Sequence, residues 1–229
     1  MPLAQRQWQQ YVDALRHAGW RTSEVPPAPD CPDSVFIEDM LVAYKDLVVI
    51  ARPGAVVRRP ETVAAEQTVR ALGCSLQHIQ APGTLDGGDV LKVGDTVYVG
   101  LSGRTNAAGI EQLRVLLEPR GAKLVVVPLT KALHLKSAVT ALPGGTLLGW
   151  QPAVDDPRVF PNFLAAPEPS GAHVVLLDDK RLLMSANCPR SVDLVAARGF
   201  EPVPVDISEF EKLEGCVTCL SVRLRGLPA

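Results

Sequence analysis

Residues 89–127, DVLKVGDTVYVGLSGRTNAAGIEQLRVLLEPRGAKLVVV, contain one complete copy of the repeat that organises the chain. The apolar runs Asp89–Val93 and Thr96–Gly100 flank a Gly-Asp pair, which is typical of a β-hairpin. Ala107–Leu117 has the apolar spacing of a helix, and Ala122–Val127 is a β-branched run that predicts a third strand. The predicted unit is therefore strand–strand–helix–strand.

The same order of elements recurs along the chain. Further hairpins are predicted at Val35–Val42 with Leu47–Ala51, Ala138–Leu142 with Thr146–Trp150, and His173–Leu177 with Arg181–Met184. Two of them are followed by a helix and a strand, at Thr62–Leu72 with Cys74–Gln80 and at Val192–Arg198 with Pro202–Val205. The unit whose hairpin ends at Trp150 has a degenerate helix. A spacing of about 40 to 50 residues indicates a repeat array whose units bury their apolar faces on their neighbours.

The two ends of the chain predict parts of one more unit. Residues 4–18 are helical in pattern and precede a short strand, Trp20–Val25. Val217–Leu224 is a further strand that lacks a hairpin partner. A fifth unit would close the ring if a strand preceded residue 1, so we expect a first unit that is incomplete at the N-terminus. The alternative is four units with a stray C-terminal strand.

Composition excludes several classes of protein. The chain has 229 residues, is 47% hydrophobic and 21% charged, and has a formal net charge of −2. No basic run is present, which makes nucleic acid and anionic membranes poor partners. No stretch approaches the roughly 20 apolar residues of a membrane span. An odd number of cysteines, five, without a signal sequence indicates thiols in a reducing compartment. We expect one cytoplasmic domain over residues 1–229.

An acidic cluster lies in DCPDSVFIEDM, residues 30–40, which contains Asp30, Asp33, Glu38 and Asp39. Glu38 and Asp39 lie within an apolar run, so at least one of these carboxylates should point inward. A buried acid is costly without a positive partner, and adjacent acids suit a planar guanidinium. The alternative interpretation is a hairpin turn with two solvated acids.

Two loops bring a histidine and further acids. In TLDGGDVL, residues 84–91, Asp86 and Asp89 bracket two glycines that allow a sharp turn and close approach of the backbone to a ligand. In LHLKSAV, residues 133–139, His134 lies between apolar leucines just before a strand. Each motif alone is compatible with a plain turn or a structural histidine.

Cys216 and Cys219 form a CxxC motif in LEGCVTCLSV, residues 213–222. A zinc half-site is disfavoured because no second ligand pair exists, and a redox motif normally starts a helix rather than a strand. The third interpretation makes one cysteine a nucleophile with His134 and an acid as partners. Positions three apart on an unbroken strand point to opposite faces, so only one thiol could face a central site. Periodicity does not say which.

Taken together, six motifs resemble the dimethylarginine dimethylaminohydrolase family of the pentein, or guanidine-modifying, superfamily. They are PDSVFIED, ARPGAVVRRPE, TLDGGDVL, YVGLSGRTN, LHLKSAVT and KLEGCVTCLSV, and they occur in the family's order over essentially the whole chain from about residue 4. The resemblance implies an α/β fold, a five-bladed α/β propeller with pseudo-fivefold symmetry. This agrees with the repeat count.

The resemblance also implies roles for individual residues. Cys219 is implied to be the nucleophile that attacks the guanidinium carbon and forms a covalent S-alkylthiouronium intermediate. His134 is implied to be the general acid and then the base that activates water, with Asp86 orienting it. The implied substrate ligands are Asp33, Glu38, Asp39 and Glu214 for the guanidinium, Arg58 and Arg104 for the α-carboxylate, and Ser137 and the Leu213 carbonyl for other contacts to the amino acid. Neither a metal nor an organic cofactor is implied.

Family members usually begin with a strand and a flexible loop whose leucine covers the substrate, and no such segment precedes Met1. We therefore expect a truncated start site and an incomplete lid, which puts activity in doubt.

The expected function is hydrolysis of N-methylated arginine, a small molecule, to citrulline and a methylamine. Within the superfamily, arginine deiminase and amidinotransferase are the alternatives. From a different class, the chain could be a catalytically inactive pentein that serves as a binding module. Gly- and Val-rich strand edges are compatible with a homodimer.

Overall fold

The computed structural model describes residues 2–225 and contains, within them, four three-stranded sheets, five α-helices and short 3₁₀ turns. The chain divides into two compact units. We call Glu24–Lys136 with Cys219–Ala229 the larger unit, and Met1–Ser23 with Ser137–Thr218 the smaller unit. No helix among the described residues is long and apolar enough to cross a membrane.

The first sheet of the larger unit is a strand–strand–helix–strand motif. β1 (Leu41–Tyr44) and β2 (Leu47–Ile50) form an antiparallel hairpin. After helix α1 (Glu61–Ala71), the chain returns as β3 (Ser75–His78), which pairs in parallel with β2. Every residue of β1 and β2 is buried, so the hairpin is covered on both faces and its sequence is continuously apolar rather than alternating.

The second sheet of the larger unit has the same topology. β4 (Val90–Val93) and β5 (Thr96–Leu101) are antiparallel, and β6 (Lys123–Pro128) pairs in parallel with β5. Between β5 and β6 lies helix α2 (Ala107–Leu117). The Asn106 side chain caps this helix by accepting a hydrogen bond from the Gly109 amide, which satisfies a donor that the first turn leaves open.

One apolar core joins these two sheets. Leu113 and Leu117 of α2 pack with Leu85 and with strand residues such as Val49 and Val97, and none of the five exposes more than 1% of its surface. This core supports the loops that leave the ends of the strands, including the one that contains Asp86.

The third sheet lies in the smaller unit and lacks an α-helix. β7 (Val139–Ala141) and β8 (Leu147–Gly149) are antiparallel, and β9 (Phe163–Ala165) pairs in parallel with β8. Two 3₁₀ turns, Gln151–Ala153 and Pro157–Val159, take the place of the helix. The degenerate helix predicted after Trp150 is confirmed.

The fourth sheet completes the smaller unit. β10 (Val175–Leu176) and β11 (Arg181–Ser185) are antiparallel, and β12 (Glu201–Val205) follows helix α3 (Pro189–Ala196) to pair in parallel with β11. All four predicted hairpins are confirmed, but the bounds of their strands differ: β1 lies further along the chain than predicted, and β5 and β11 each extend one residue further.

Two further helices belong to the smaller unit. The N-terminal helix (Leu3–His17) is held by the Tyr11 hydroxyl, which donates to the Val217 carbonyl over 2.8 Å. A short helix (Ser208–Glu211) follows β12. The remaining 3₁₀ turns are Ile37–Met40, Val56–Arg58, Gly87–Asp89, Glu118–Arg120, Leu135–Ser137, Pro143–Gly145 and Pro169–Ala172.

Two predicted strands are wrong, and a third is displaced along the chain. The run Val35–Val42 does not start as a strand, because Ile37–Met40 forms a 3₁₀ turn and β1 begins only at Leu41. Trp20–Val25 and Val217–Leu224 are not strands either, and residues 217–220 form a turn. Apolar β-branched composition favours a strand only where a neighbouring strand accepts its hydrogen bonds, and neither segment pairs in a ladder among the described residues.

The core predicts a clear contrast within helix α2. Replacing the fully buried Leu113 by Ala should lower the free energy of unfolding by about 2–5 kcal/mol, because it removes apolar contact and leaves a cavity. Val115→Ala on the same helix, at a residue that is 64% exposed, should change it by less than about 0.5 kcal/mol. Urea unfolding followed by circular dichroism measures both. Equal losses would contradict this core.

Candidate active site

His134 lies at the centre of the candidate site. It directly precedes the 3₁₀ turn Leu135–Ser137 and is 4% exposed. Its Nε2 lies 2.9 Å from Asp86 Oδ2 and 3.7 Å from Asp39 Oδ1. Burial by itself lowers the pKa of His134, but the carboxylates of Asp39, Asp86 and Asp89 outweigh burial and raise this pKa to about 9. The imidazole is therefore a cation at neutral pH.

Asp86 is fully buried and held by the backbone around it. Its Oδ1 accepts a hydrogen bond from the Gly54 amide over 2.9 Å, and its own amide donates to Thr105 Oγ1 over 3.1 Å. These contacts fix the carboxylate so that Oδ2 meets His134. Orientation of the imidazole by a fixed carboxylate is the arrangement of acid–base sites that use histidine.

The two glycines of the DGGD motif make this packing possible. A Cβ on Gly87 would collide with the Glu38 carbonyl, and a Cβ on Gly88 would lie 2.6 Å from Asp39 Oδ1 and 2.8 Å from His134 Cγ. The Gly88 amide also donates to Asp39 Oδ1 over 3.0 Å. The turn was predicted to let the backbone approach a ligand closely. In the structure this close approach is to Asp39 and His134 of the site itself.

Asp39 is buried and paired with Arg58. Arg58 Nη1 donates to Asp39 Oδ2 over 2.6 Å, and Arg58 Nη2 donates to Glu61 Oε2 over 2.8 Å. Burial by itself raises the pKa of Asp39, but the charges of His134 and Arg58 outweigh it and hold this pKa below its ordinary value. Asp39 is thus ionised at neutral pH.

The contacts of Arg58 argue against its expected role as a ligand for a substrate carboxylate. Its Nη2 also donates to the carbonyls of Asp33 and Phe36, each over 3.2 Å, and its side chain is 6% exposed. Two carboxylates and two carbonyls thus engage the guanidinium already. We assign Arg58 to fixing Asp39. The sequence analysis missed Glu61, the second carboxylate that pairs with Arg58. The only sequence signal for it was its position three residues after Arg58, at the start of a helix.

Glu38 and Asp39 both point inward, as predicted for at least one of them, with 3% and 4% exposure. The partner of Glu38 is internal. Lys136 Nζ lies 2.6 Å from Glu38 Oε1, and Arg223 Nη2 lies 3.6 Å from the same oxygen. Sequence reasoning missed Lys136 because nothing in a local pattern shows which buried acid a buried lysine meets.

Cys219 lies in the turn at residues 217–220 instead of a strand, so the alternation argument for the CxxC motif fails. Its carbonyl accepts a hydrogen bond from the Glu38 amide over 3.1 Å, which places its backbone beside the acidic cluster. Cys219 is half-buried. Cys216 is only 4% exposed, and its Sγ lies 3.2 Å from Thr218 Oγ1. A nucleophilic thiol needs access, which favours Cys219.

Arg104 lies next to the His134–Asp86 pair. Its Nη1 is 3.8 Å from Asp86 Oδ2, and its side chain is 27% exposed. That nitrogen is buried and has no hydrogen-bond acceptor among the described residues. The backbone at residue 54 passes close to the backbone of Arg104. This approach requires glycine at position 54, because a Cβ there would lie 2.6 Å from the Arg104 Cα. A buried donor without an acceptor is costly, so Arg104 is suited to bind an anionic group.

The other expected substrate ligands are placed as follows. The Asp33 side chain is half-buried, and its carbonyl accepts from Arg58. Within the smaller unit, the Ser137 carbonyl lies 2.9 Å from His173 Nε2, while Leu213 and Glu214 are exposed, with Leu213 at 60%.

Among the described residues, Asp39, Asp86 and His134 form the one group of side chains close enough to hold a metal ion, with ligand atoms within 4.8 Å of one another. A metal would have to displace the hydrogen bond between His134 and Asp86 and compete with Arg58 for Asp39. The site is better described as an acid–base pair.

Comparison with known protein sequences adds three matches. A family model described as arginine deiminase matches residues 9–142. The chain is 62% identical over 225 residues to the N(G),N(G)-dimethylarginine dimethylaminohydrolase of Streptomyces coelicolor, which covers 98% of this chain and 87% of that protein. It is 38% identical over 216 residues to the protein of the same name from Pseudomonas aeruginosa, which covers 93% and 85%.

Two solved structures are similar over the same extent. A crystal structure of dimethylarginine dimethylaminohydrolase as an adduct with S-methyl-L-thiocitrulline has a TM-score of 0.88 at 36% identity, and the match covers 95% of this chain and 87% of that chain. The protein from Pseudomonas aeruginosa complexed with citrulline also has a TM-score of 0.88 at 36% identity, covering 95% and 86%.

The raised pKa of His134 predicts a pH dependence of stability. The folded value is about 9, against about 6.5 for an unfolded histidine. The cation therefore contributes stability that is fully present below about pH 6.5 and is lost as pH rises through about 9, on the order of 3 kcal/mol. We expect the urea midpoint of the wild type to fall more steeply over this range than that of His134→Gln.

A surface histidine provides the control. His78, which is exposed and lies 2.9 Å from Glu66, should give a His78→Gln variant whose midpoint falls with pH as the wild type does. Parallel curves for wild type and His134→Gln would rule out the proposed linkage.

Proposed function

The chain belongs to the dimethylarginine dimethylaminohydrolase family, and we infer from this that it hydrolyses N-methylated L-arginine to L-citrulline and a methylamine. The relatives span nearly the whole chain, and the solved relatives include a citrulline complex and a thiocitrulline adduct. The enzyme is thus a hydrolase that acts on a linear amidine, with a small-molecule substrate.

The fold of the family agrees with the repeat. The predicted α/β propeller of the pentein superfamily is confirmed by the similarity to the solved dimethylarginine dimethylaminohydrolases. Four of its strand–strand–helix–strand sheets are present in the described residues, the third with 3₁₀ turns in place of the helix.

The observation that best links this function to the geometry is the charge of the buried site. Five carboxylates and three cations are buried in the larger unit, namely Glu38, Asp39, Glu61, Asp86 and Asp89 against Arg58, His134 and Lys136. If all of them were ionised, these acids would outnumber the fully buried cations by two, and further cations near them, Arg104 and Arg223, are part-exposed. A guanidinium substrate supplies positive charge and planar donors that carboxylates accept well.

We propose that Cys219 is the nucleophile. Its thiolate attacks the guanidinium carbon of the substrate, and the carbon–nitrogen bond to the methylated nitrogen breaks. His134, a cation at neutral pH, gives its proton to the departing methylamine. The product is an S-alkylthiouronium on Cys219. An ordinary thiol has a pKa of about 8.5, so the positive charge of the bound substrate helps to form the thiolate.

The second half of the reaction restores the enzyme. His134, now neutral, takes a proton from a water molecule that attacks the thiouronium carbon. The carbon–sulfur bond then breaks, the remaining hydroxyl proton passes to solvent as the carbonyl of citrulline forms, and Cys219 returns to a thiolate. Asp86, 2.9 Å from the imidazole, stabilises the imidazolium that donates its proton in the first half-reaction and forms again in the second. The residues described here perform both steps, and the proposal needs no metal or organic cofactor.

We assign the substrate guanidinium to Asp39, with Asp33 and Glu38 nearby. Asp39 accepts one hydrogen bond from Arg58 and one from Gly88, and a carboxylate has about four lone-pair sites. It can therefore accept further donors. The expected contributions of Ser137, the Leu213 carbonyl and Glu214, all in the smaller unit, stay predictions from the family resemblance.

Arginine deiminase activity is the second candidate. The match of residues 9–142 to the arginine deiminase family model favours it, because the two reactions share the attack on a guanidinium carbon. They differ in whether the leaving amine carries methyl groups. A comparison of arginine with its dimethylated form decides between them.

We further propose a cytoplasmic location and a homodimer. All five cysteines are thiols, which suits a reducing compartment. Light scattering of the purified protein tests the oligomeric state.

The central test is citrulline release. Asymmetric dimethylarginine should yield citrulline and arginine should not, and Cys219→Ser should lower kcat at least about 10³-fold because a hydroxyl is a much weaker nucleophile than a thiolate. A colorimetric citrulline assay measures both. Cys74→Ser, at a half-buried thiol outside the site, is the matched control and should keep wild-type kcat. Citrulline from arginine instead would establish the deiminase.

Arg104 should affect binding more than chemistry. Arg104→Gln removes the buried guanidinium donor that has no hydrogen-bond acceptor within residues 2–225, and should raise KM for dimethylarginine at least about 10-fold while changing kcat less. An analogue of dimethylarginine without the α-carboxylate should bind wild type and Arg104→Gln about equally. Inhibition assays measure this affinity, and a large difference for the analogue would refute a carboxylate contact.

A further inference from the structure

Asp89 is a buried acid for which the proposed mechanism has no role. It is 0% exposed and ends the 3₁₀ turn Gly87–Asp89, three residues after Asp86. Burial raises its pKa above the ordinary value. An acid that is kept in such a position at this cost calls for an explanation in terms of its contacts.

Each oxygen of the Asp89 carboxylate holds a different loop. Oδ1 accepts a hydrogen bond from the Leu135 amide over 2.9 Å, directly next to His134. Oδ2 accepts from the Ser102 hydroxyl over 2.7 Å. One side chain thus ties the loop of His134 to the loop that carries Arg104.

Ser102 and Thr105 connect Asp89 to Asp86 through further hydrogen bonds. Its Oγ accepts hydrogen bonds from the amides of Arg104 and Thr105, over 3.0 and 3.1 Å. Thr105 Oγ1 in turn accepts from the Asp86 amide. The contacts of Asp89 therefore extend directly to the Leu135 backbone and, through Ser102 and Thr105, to the backbone of Arg104 and Asp86.

Gly100 in β5 leaves the space that this carboxylate occupies. A Cβ at Gly100 would lie 2.6 Å from Asp89 Oδ1 and 3.3 Å from Leu135 Cβ. Contacts below about 3 Å do not occur for real Cβ atoms without displacement of a neighbour. Any residue larger than glycine would push Asp89 away from the Leu135 amide.

We propose that Asp89 is a positioning residue that holds His134 in the orientation needed for proton transfer, by fixing the Leu135 backbone and the Ser102–Thr105 loop together. The proposal rests on the function assigned above to His134. It concerns a residue that does not itself touch the reacting atoms.

Only a carboxylate satisfies both of these contacts. A serine hydroxyl has one donor and two acceptor sites, and Ser102 uses all three, towards Asp89, Arg104 and Thr105. An asparagine at position 89 could accept from Leu135, but its NH₂ would then face an oxygen whose acceptor sites are taken. In the flipped orientation the NH₂ would face the Leu135 amide, donor against donor.

Charge provides an independent readout. The titratable groups that face the His134 imidazole are Asp39, Asp86 and Asp89, and Arg104 lies behind Asp86. Loss of the Asp89 charge should therefore lower the pKa of His134. A purely structural residue remote from the imidazole would not do this.

The experiment compares three variants of the full chain. Asp89→Asn should lower kcat for dimethylarginine about 10²-fold, with KM changed less, and should move the basic limb of the pH profile of kcat to lower pH. Gly100→Ala keeps every charge but displaces Asp89, so it should lower kcat without moving that limb. Glu168→Gln, which alters a carboxylate bound to the Ser191 amide and hydroxyl, should lower the thermal midpoint and leave kcat and the limb unchanged.

NMR titration of the His134 ring gives the same pKa without turnover. If the wild type releases no citrulline, the assigned function fails, and this titration alone then decides the effect of the Asp89 charge. Folded Asp89→Asn with wild-type kcat and an unmoved His134 pKa would overturn the proposal. If Asp89→Asn does not fold, folded Gly100→Ala with wild-type kcat would overturn it instead.

Discussion

The hydrogen bond between His134 and Asp86 is buried, and the chain around it keeps His134 a cation. The Gly54 amide donates to Asp86, and the imidazole lies between two carboxylates, which outweigh the effect of burial on the pKa of His134. This requires backbone to approach very closely. Gly87 and Gly88 permit it, since a side chain at either position would collide with the Glu38 carbonyl or with Asp39 and His134. The segments that precede β1 and β4 must therefore pack closely together for this one hydrogen bond to form.

The two compact units differ in what they bury. Within residues 2–225, every buried Asp, Glu, Lys, Arg and His lies in the larger unit, whereas the buried polar side chains of the smaller unit are uncharged, for example Gln7, Thr140 and Ser191. The core of the smaller unit is an apolar cluster around Leu148, Leu182 and Met184. Since burial of charge is costly, this distribution supports the proposal that the acid–base residues lie in the larger unit.

The sequence was sufficient for features that repeat locally. Apolar runs that flank short connections, two of which contain glycine, gave the four hairpins. At least one of the acids at residues 38–39 was expected to face inward because they interrupt such a run. What failed depends on partners distant in sequence. Ile37–Met40 reads as a strand, yet forms a 3₁₀ turn that directs Asp39 to Arg58 and Glu38 to Lys136. Likewise Val217–Leu224 has strand composition, but residues 217–220 form a turn that places the Cys219 carbonyl on the Glu38 amide. The periodicity of apolar residues indicates which side chains are buried. It does not indicate which buried acid pairs with which buried base.

The candidate site for a cationic substrate already contains cations, and the pKa of Asp39 explains why. Burial alone would raise the pKa of Asp39 and so favour its protonated form, which is a poor acceptor for a guanidinium. Arg58 and His134 oppose this and keep Asp39 ionised before any substrate arrives. Arg58 is in turn held by Glu61, so acids and bases alternate from Glu61 through Arg58 and Asp39 to His134 and Asp86. The internal cations therefore maintain the negative charge of Asp39, the carboxylate to which we assign the substrate guanidinium.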